Sequence, residues 1–462
     1  MRKILSKKDI KTLGLSSLGG TLEFYDFIIF AFFSSYISKN FFPENLSPFW
    51  QLFNTYGIFA AAYVVRPLGG IVMAHFGDKF GRKKMFMLSI LLMVIPTFAL
   101  AFIPSYESIG YLCVVFLMLI RIAQGISIGG ELPGAWIFVY EHSPQGQRRT
   151  YIGFLTASVV GGILLGSIVF LLMHKIYTQE ELYEWAWRVP FFLGGIFGLI
   201  SIYLRKFLSE TPVFEQMRKE NVLEKFPLKE VFKRAKAGVL ISMLITWVLT
   251  GCIIVMILFI PKYMAEILQF DTNFQTYLQM GGIFFISLGC IISGILADKI
   301  GIFKSSIIFS LFFGLACAFY FHFLYNTNAD ITLVSIFYLL ACLFGGVMNF
   351  CPLIMNEAFE AKIKFSGLSF SYNIAYAIAG GITPQLTLLL HKFAFANLDN
   401  AWRFSLGYYM FLIVLLALLS AFIFRYLNNI PNAHTLSDFY TLFKRRGAKK
   451  MAFFYVNMLI II

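Results

Sequence analysis

Residues 66–84 read RPLGGIVMAHFGDKFGRKK. The stretch opens apolar and ends in a compact charged turn, where Asp78 is followed by Gly81, Arg82, Lys83 and Lys84. A membrane helix that meets so many charges must leave the lipid there. Gly81 allows a tight reversal. The cations suit the cytoplasmic side of a bilayer. Asp78 can cap a neighbouring helix or pair with Arg82. Taken alone, the same residues also describe an ordinary solvated basic loop, so the rest of the chain decides.

Composition points to a membrane protein. The chain has 462 residues, 59% of them hydrophobic and only 13% charged, with a mean hydropathy of +0.75. A soluble domain carries roughly 25% charged residues. The apolar runs reach the roughly 20 residues that a spanning helix needs, whereas a transmembrane barrel would show short alternating segments. The net charge of +14 does not argue for nucleic acid, because the basic residues lie in short loops between apolar runs. The six cysteines, at 113, 252, 290, 317, 342 and 351, all fall inside apolar runs without a C-x-x-C pair. They read as packing residues rather than metal ligands or disulfides. The basic start followed by an apolar stretch mimics a signal peptide. Glu23 and Asp26 interrupt that stretch and no small-residue cleavage site follows, so a retained first helix is expected.

Runs near 16–37, 49–75, 85–104, 108–140, 150–173, 188–206, 238–261, 277–297, 305–325, 331–355, 366–391 and 402–427 make twelve spans. They divide the chain into a first half over 1–206, a Lys-, Glu- and Pro-rich linker over 207–237, a second half over 238–427 and a tail over 428–462. With both termini inside, 30 of the 38 Lys and Arg residues fall in cytoplasmic segments, which sets the orientation. Landmarks repeat between the halves. Asp78 and Gly81 recur as Asp298 and Gly301 (298−78 = 220), Gly129-Gly130 with Glu141 as Gly345-Gly346 with Glu357 (357−141 = 216), and Trp187-Arg188 as Trp402-Arg403 (402−187 = 215). Parallel six-helix repeats with a solute site between them are a transporter organisation. The second turn is degraded, with Ile302 and Phe303 before Lys304, which predicts an asymmetric inner gate.

Polar residues at membrane depth are the candidates for chemistry. Glu23 and Asp26 lie one turn apart on span one, close enough in low dielectric to disfavour two charges. That suits a reversible proton site; alternatively Glu23 stays hydrated and pairs with a base. Arg121 and Glu131 on span four are about 80° apart around the helix. They either face a cavity or form a structural pair. Pro133 removes a backbone donor beside Glu131. Asn349 and Asn356 on span ten, and Tyr372 and Asn373 on span eleven, can bind a polar solute or a neighbouring helix. Glu141 is expected at the cytoplasmic rim against the basic turns. The Trp-Arg pairs are expected at the outer interface.

The runs LEFYDF at 22–27, RPLGG at 66–70, GDKFGRKK at 77–84, R-x-x-Q-G-x-x-x-G-G-E at 121–131, WRVPF at 187–191 and S-G-x-S-x-x-Y-N at 366–373 are similar to the metabolite:proton symporters of the major facilitator superfamily. That family includes carriers of proline and betaine, 2-oxoglutarate, citrate and shikimate. The resemblance implies an all-helical fold of twelve transmembrane helices and proton-driven uptake through the bacterial inner membrane. It also implies that spans one, four, seven and ten line a central cavity. The site residues expected from it are Asp26, Glu23, Glu131 and Arg121 for proton coupling; Arg121, Glu131, Asn349, Asn356, Tyr372 and Asn373 for substrate; and Asp78, Gly81, Arg82, Asp298, Glu141 and Glu357 for gating. The expected partners are a small organic acid or zwitterion, protons and the bilayer, with no cofactor, no metal and no nucleic acid, and the chain acting as a monomer. A proton-coupled antiporter shares the fold, and a transporter-like sensor is a third reading. No phosphate loop, metal cluster or nucleophile–base arrangement suggests an enzyme. The basic tail shows no heptads, unlike the osmosensing members of that family.

Overall fold

A computed structural model describes residues 7–206, 208–261, 272–325, 330–389 and 401–428. Among these residues the chain forms helices and no strand. The spans are α1 (Lys7–Phe32), α2 (Pro48–Phe80), α3 (Arg82–Leu100), α4 (Leu112–His142), α5 (Arg148–Ile176) and α6 (Val189–Arg205) in the first half. The second half has α7 (Lys236–Phe259), α8 (Thr272–Ile300), α9 (Ile302–Tyr325), α10 (Ile331–Ala358), α11 (Lys364–Leu389) and α12 (Ala401–Asn428). Among the described residues, nine helices are long and apolar enough to cross a bilayer. The stretch between the halves carries two short helices, Pro212–Lys219 and Pro227–Arg234. Each starts on a proline, whose missing N–H costs nothing at a helix start. The tail beyond Asn428, with His391, Lys262 and Lys392, lies outside the described residues.

A charged residue lies inside a helix that the sequence reading ended earlier. Helix α2 runs through Asp78 and Lys79 to Phe80, because Asp78 is buried at 2% exposure and satisfied by partners. Only Gly81 then makes the turn, at φ +118°, and Gly301 makes its counterpart at +89°. That region of backbone space favours glycine. Helix α4 passes Pro133 without a break.

Small residues set the helix crossings. At Gly125 and Gly129 of α4 a side chain would run into the backbone of α2 at Ala62 and Arg66. At Gly346 of α10 it would run into the backbone of α8 at Gly289. The glycine repeat seen in the sequence is thus the same close helix crossing in both halves. The halves meet where α2 packs on α11 and α5 packs on α8. Gly153 and Gly294 allow close approach at the second of these contacts. All six cysteines are buried with free thiols. Trp187 departs from the expected interface position. It is fully buried, edge-on to the Phe41 and Phe191 rings. The side chains of Trp402 and Arg403 lie outside the described residues.

Candidate functional site

The end of the bundle that carries the α2–α3 and α8–α9 turns is held shut by two related latches. In the first, Asp78 Oδ2 accepts the backbone N–H of Ser366 at 2.9 Å, at the start of α11. Arg82 lies 3.7 Å from Asp78 and 3.0 Å from Glu141, and donates to the Ala361 carbonyl at 2.9 Å. Residues of the first half thereby grip the α10–α11 connection of the second. In the second latch, Asp298 accepts the backbone N–H groups of Arg149 (3.2 Å) and Thr150 (2.8 Å) and the Thr150 hydroxyl (2.6 Å), at the start of α5. Each aspartate therefore caps a helix of the opposite half, where a carboxylate meets exposed N–H groups and the positive helix end.

The degraded turn has a structural consequence. Position 302 holds Ile, so the second half has no counterpart of Arg82 there. Glu357 instead takes its cation from the first half, pairing with Arg149 at 3.1 Å. Hydrogen bonds to charged groups contribute about 1.5–3 kcal/mol each when buried, and exposed ion pairs only about 0.2–1 kcal/mol. The Arg82 cluster is almost fully buried, whereas Arg149 and Glu357 are 29% and 22% exposed. The first latch is therefore the more deeply buried of the two.

Deeper in the first half, Asp26 of α1 is buried at 2% exposure against Gly194 of α6. Nearby on α3, the Thr97 hydroxyl donates to the Met93 carbonyl at 2.9 Å. Thr97 Oγ1 accepts from Gln124 Nε2 at 2.8 Å, and Gln124 Oε1 accepts from Arg121 Nη1 at 2.7 Å. The Arg121 guanidinium lies over the Phe30 ring at 4.4 Å. Among the described residues Asp26 forms no ion pair, and Arg121 is held by Gln124 rather than by Asp26. The side chain of Glu23 lies outside the described residues.

Glu131 has a different partner from the one its sequence suggested. It pairs with Arg205, the last residue of α6, and accepts the Ser89 hydroxyl. Arg205 also donates to the Phe86 carbonyl at 3.1 Å and stacks on the Phe86 ring at 3.8 Å. Arg205, at the end of the span read over 188–206, is 1% exposed. No sequence signal marks the pairing; in the fold Gly19 leaves the room that the Arg205 guanidinium fills. A small space lined by Asp26, Glu131, Gly19, Met93 and Ser201 among others lies between the two carboxyl groups within this half.

The remaining candidates separate into two groups. Asn349 sits in a tight 3₁₀ stretch of α10 and donates to Cys290 O and Ser293 Oγ of α8, both at 3.1 Å. Asn356 donates to Pro352 of its own helix at 2.9 Å. The carbonyl oxygens of both are buried without a hydrogen-bond donor. Tyr372 and Asn373 face the first half. Asn373 Oδ1 accepts from Arg66 Nε at 2.9 Å, and its amide donates to Gly129 O at 2.7 Å. The Tyr372 ring lies edge-on to Trp136 at 4.9 Å.

The family model described as Major Facilitator Superfamily matches residues 17–384, so the chain belongs to that superfamily. It is 30% identical over 393 residues to the proline/betaine transporter of Salmonella typhimurium, covering 82% of this chain and 77% of that one. It is 32% identical over 387 residues to the inner membrane metabolite transport protein YhjE of Escherichia coli, covering 82% and 87%. Among solved structures it resembles the proton:xylose symporter XylE bound to 6-bromo-6-deoxy-D-glucose, with a TM-score of 0.72, 18% identity and 88% and 94% of the two chains covered. The chain is a multi-pass membrane transporter with the major facilitator fold, and not an enzyme.

Proposed function

We propose that this transporter couples the uptake of a small organic acid or zwitterionic osmolyte to proton entry by alternating access. The carrying observation is Asp26, a carboxyl buried at 2% exposure and, among the described residues, with no cation within ion-pair distance. A carboxyl buried without direct contact to a cation carries its charge at high cost. That is the condition for taking up and releasing a proton as its surroundings close and open. Glu131, held by Arg205, is then the fixed charge of this half. The names of the relatives, which include proline/betaine transporters, support the solute class. Export by proton antiport is the competing reading. The test is uptake of labelled proline, betaine and organic acids into proteoliposomes with an acidic exterior. Symport requires accumulation that a protonophore collapses. Accumulation driven only by the opposite gradient would make the chain an antiporter.

The two latches serve, in this reading, to stabilise the state closed on the cytoplasmic side. The divisions at 1–206, 207–237, 238–427 and 428–462 are the two moving halves, their linker and a cytoplasmic tail. Asp78→Asn weakens the acceptor for Ser366 N–H and removes the charge facing Arg82. Turnover is expected to fall severalfold while the amount of folded protein holds. A reporter fused after Lys84 should report the cytoplasm and one after Lys39 the exterior. Unchanged turnover would remove the gating role, and reversed reporters would invert the orientation.

A further inference from the structure

Arg66 has no place in the coupling pathway described above. It is 3% exposed, on the α2 face that meets α11 of the other half. Its charge is permanent. Among the described residues no carboxylate lies within ion-pair distance of it. Its Nε donates to Asn373 Oδ1 at 2.9 Å, and its guanidinium rests over the rings of Tyr376 (4.2 Å) and Tyr372 (5.1 Å). Nη2 is buried without an acceptor. Tyr63, stacked on Tyr376 at 6.1 Å, feels the charge of both Arg66 and Arg121. Ring faces and one amide oxygen offset only part of the cost of a buried charge.

We propose that Arg66 is the anchor for a carboxylate on the transported solute, at the contact between the halves. This rests on the reading of the chain as a transporter of an organic acid or zwitterion and assigns the residue that holds the anionic end of that solute. A guanidinium presents a planar fork of N–H donors that matches two carboxylate oxygens. Asn373 Oδ1, which accepts from Nε, stands where one of those oxygens would bind. An arriving carboxylate takes the Nε hydrogen bond from Asn373 and supplies an acceptor for Nη2. Binding thereby exchanges a bond between the halves for one to the solute. The tyrosine rings remain as walls for the rest of the molecule.

The test compares matched probes by thermal stabilisation of the purified full-length protein: glycine betaine against choline, proline against prolinamide, succinate against succinamide. At least one carboxylate should stabilise the protein, and its carboxylate-free partner should not. Arg66→Gln should weaken that binding about ten- to a hundredfold, the range for one hydrogen bond to a charged group. Arg66→Lys should retain the preference at reduced affinity. The wild-type comparison stands even if Arg66→Gln fails to fold. Equal binding of a carboxylate-free partner, no binding by any carboxylate, or a preference surviving in Arg66→Gln would overturn the proposal. Uphill, proton-driven uptake of a carboxylate-free solute would also overturn it while leaving symport intact. Carboxylate binding without proton-driven uptake would do the reverse.

Discussion

Asp26→Asn is expected to abolish accumulation driven by a pH gradient while leaving solute exchange at equal concentrations. The asparagine keeps the size of the side chain and its place against Gly194. The line from Thr97 through Gln124 to Arg121 does not depend on the Asp26 charge and survives in shape. What it loses is the pair of charge states. A coupled carrier needs one state tolerated in each conformation, since an equilibrium shifts only by differential interaction with its two forms. Exchange requires no net proton movement, so it persists. Counterflow and gradient-driven uptake in the same proteoliposomes separate the two. Accumulation tenfold above equilibrium in Asp26→Asn would remove Asp26 from the coupling role and turn attention to Glu131→Gln.

Much of the architecture was legible because each span is a long apolar run and each turn carries charges that lipid excludes. The repeat of Asp78-Gly81 as Asp298-Gly301 was visible for the same reason: a turn at a membrane surface admits few residue types. What each aspartate grips was not visible. Asp78 bonds Ser366, and Asp298 bonds Thr150, across sequence gaps of 288 and 148 residues. Helix periodicity carries no information about contacts between distant spans. The partner of Glu131 was hidden differently. Arg205 ends a span, where cations ordinarily reach water, and only the fold turns it inward over Phe86. Asn349 was placed on a cavity helix by its number alone, yet its amide points to α8. Polar residues at membrane depth are few, so sequence finds them readily. Which of them face each other depends on how the helices rotate.

Arg205→Met is expected to cost more folded protein than any other single change to the polar residues of the first half. The substitution leaves Glu131 buried at 1% exposure with its cation gone. Breaking a buried ion pair by removing one partner costs about 3–5 kcal/mol, chiefly the desolvation of the charge left behind. Ser89 still donates to the carboxylate but carries no charge to balance it. Glu131→Gln should be costly for the mirror reason, since it strands a guanidinium whose other contacts are the Phe86 ring and carbonyl. The double variant Glu131→Gln with Arg205→Met removes both charges and should recover most of the loss, because the two effects share one interaction. Thermal midpoint and monodisperse yield in detergent measure all three. Recovery in the double variant with proton-driven uptake retained assigns the pair to the scaffold, leaving Asp26 to carry the proton. Recovery of fold without recovery of uptake would make Glu131 part of the coupling machinery. An Arg205→Met protein as stable as the wild type would mean that the pair holds nothing together.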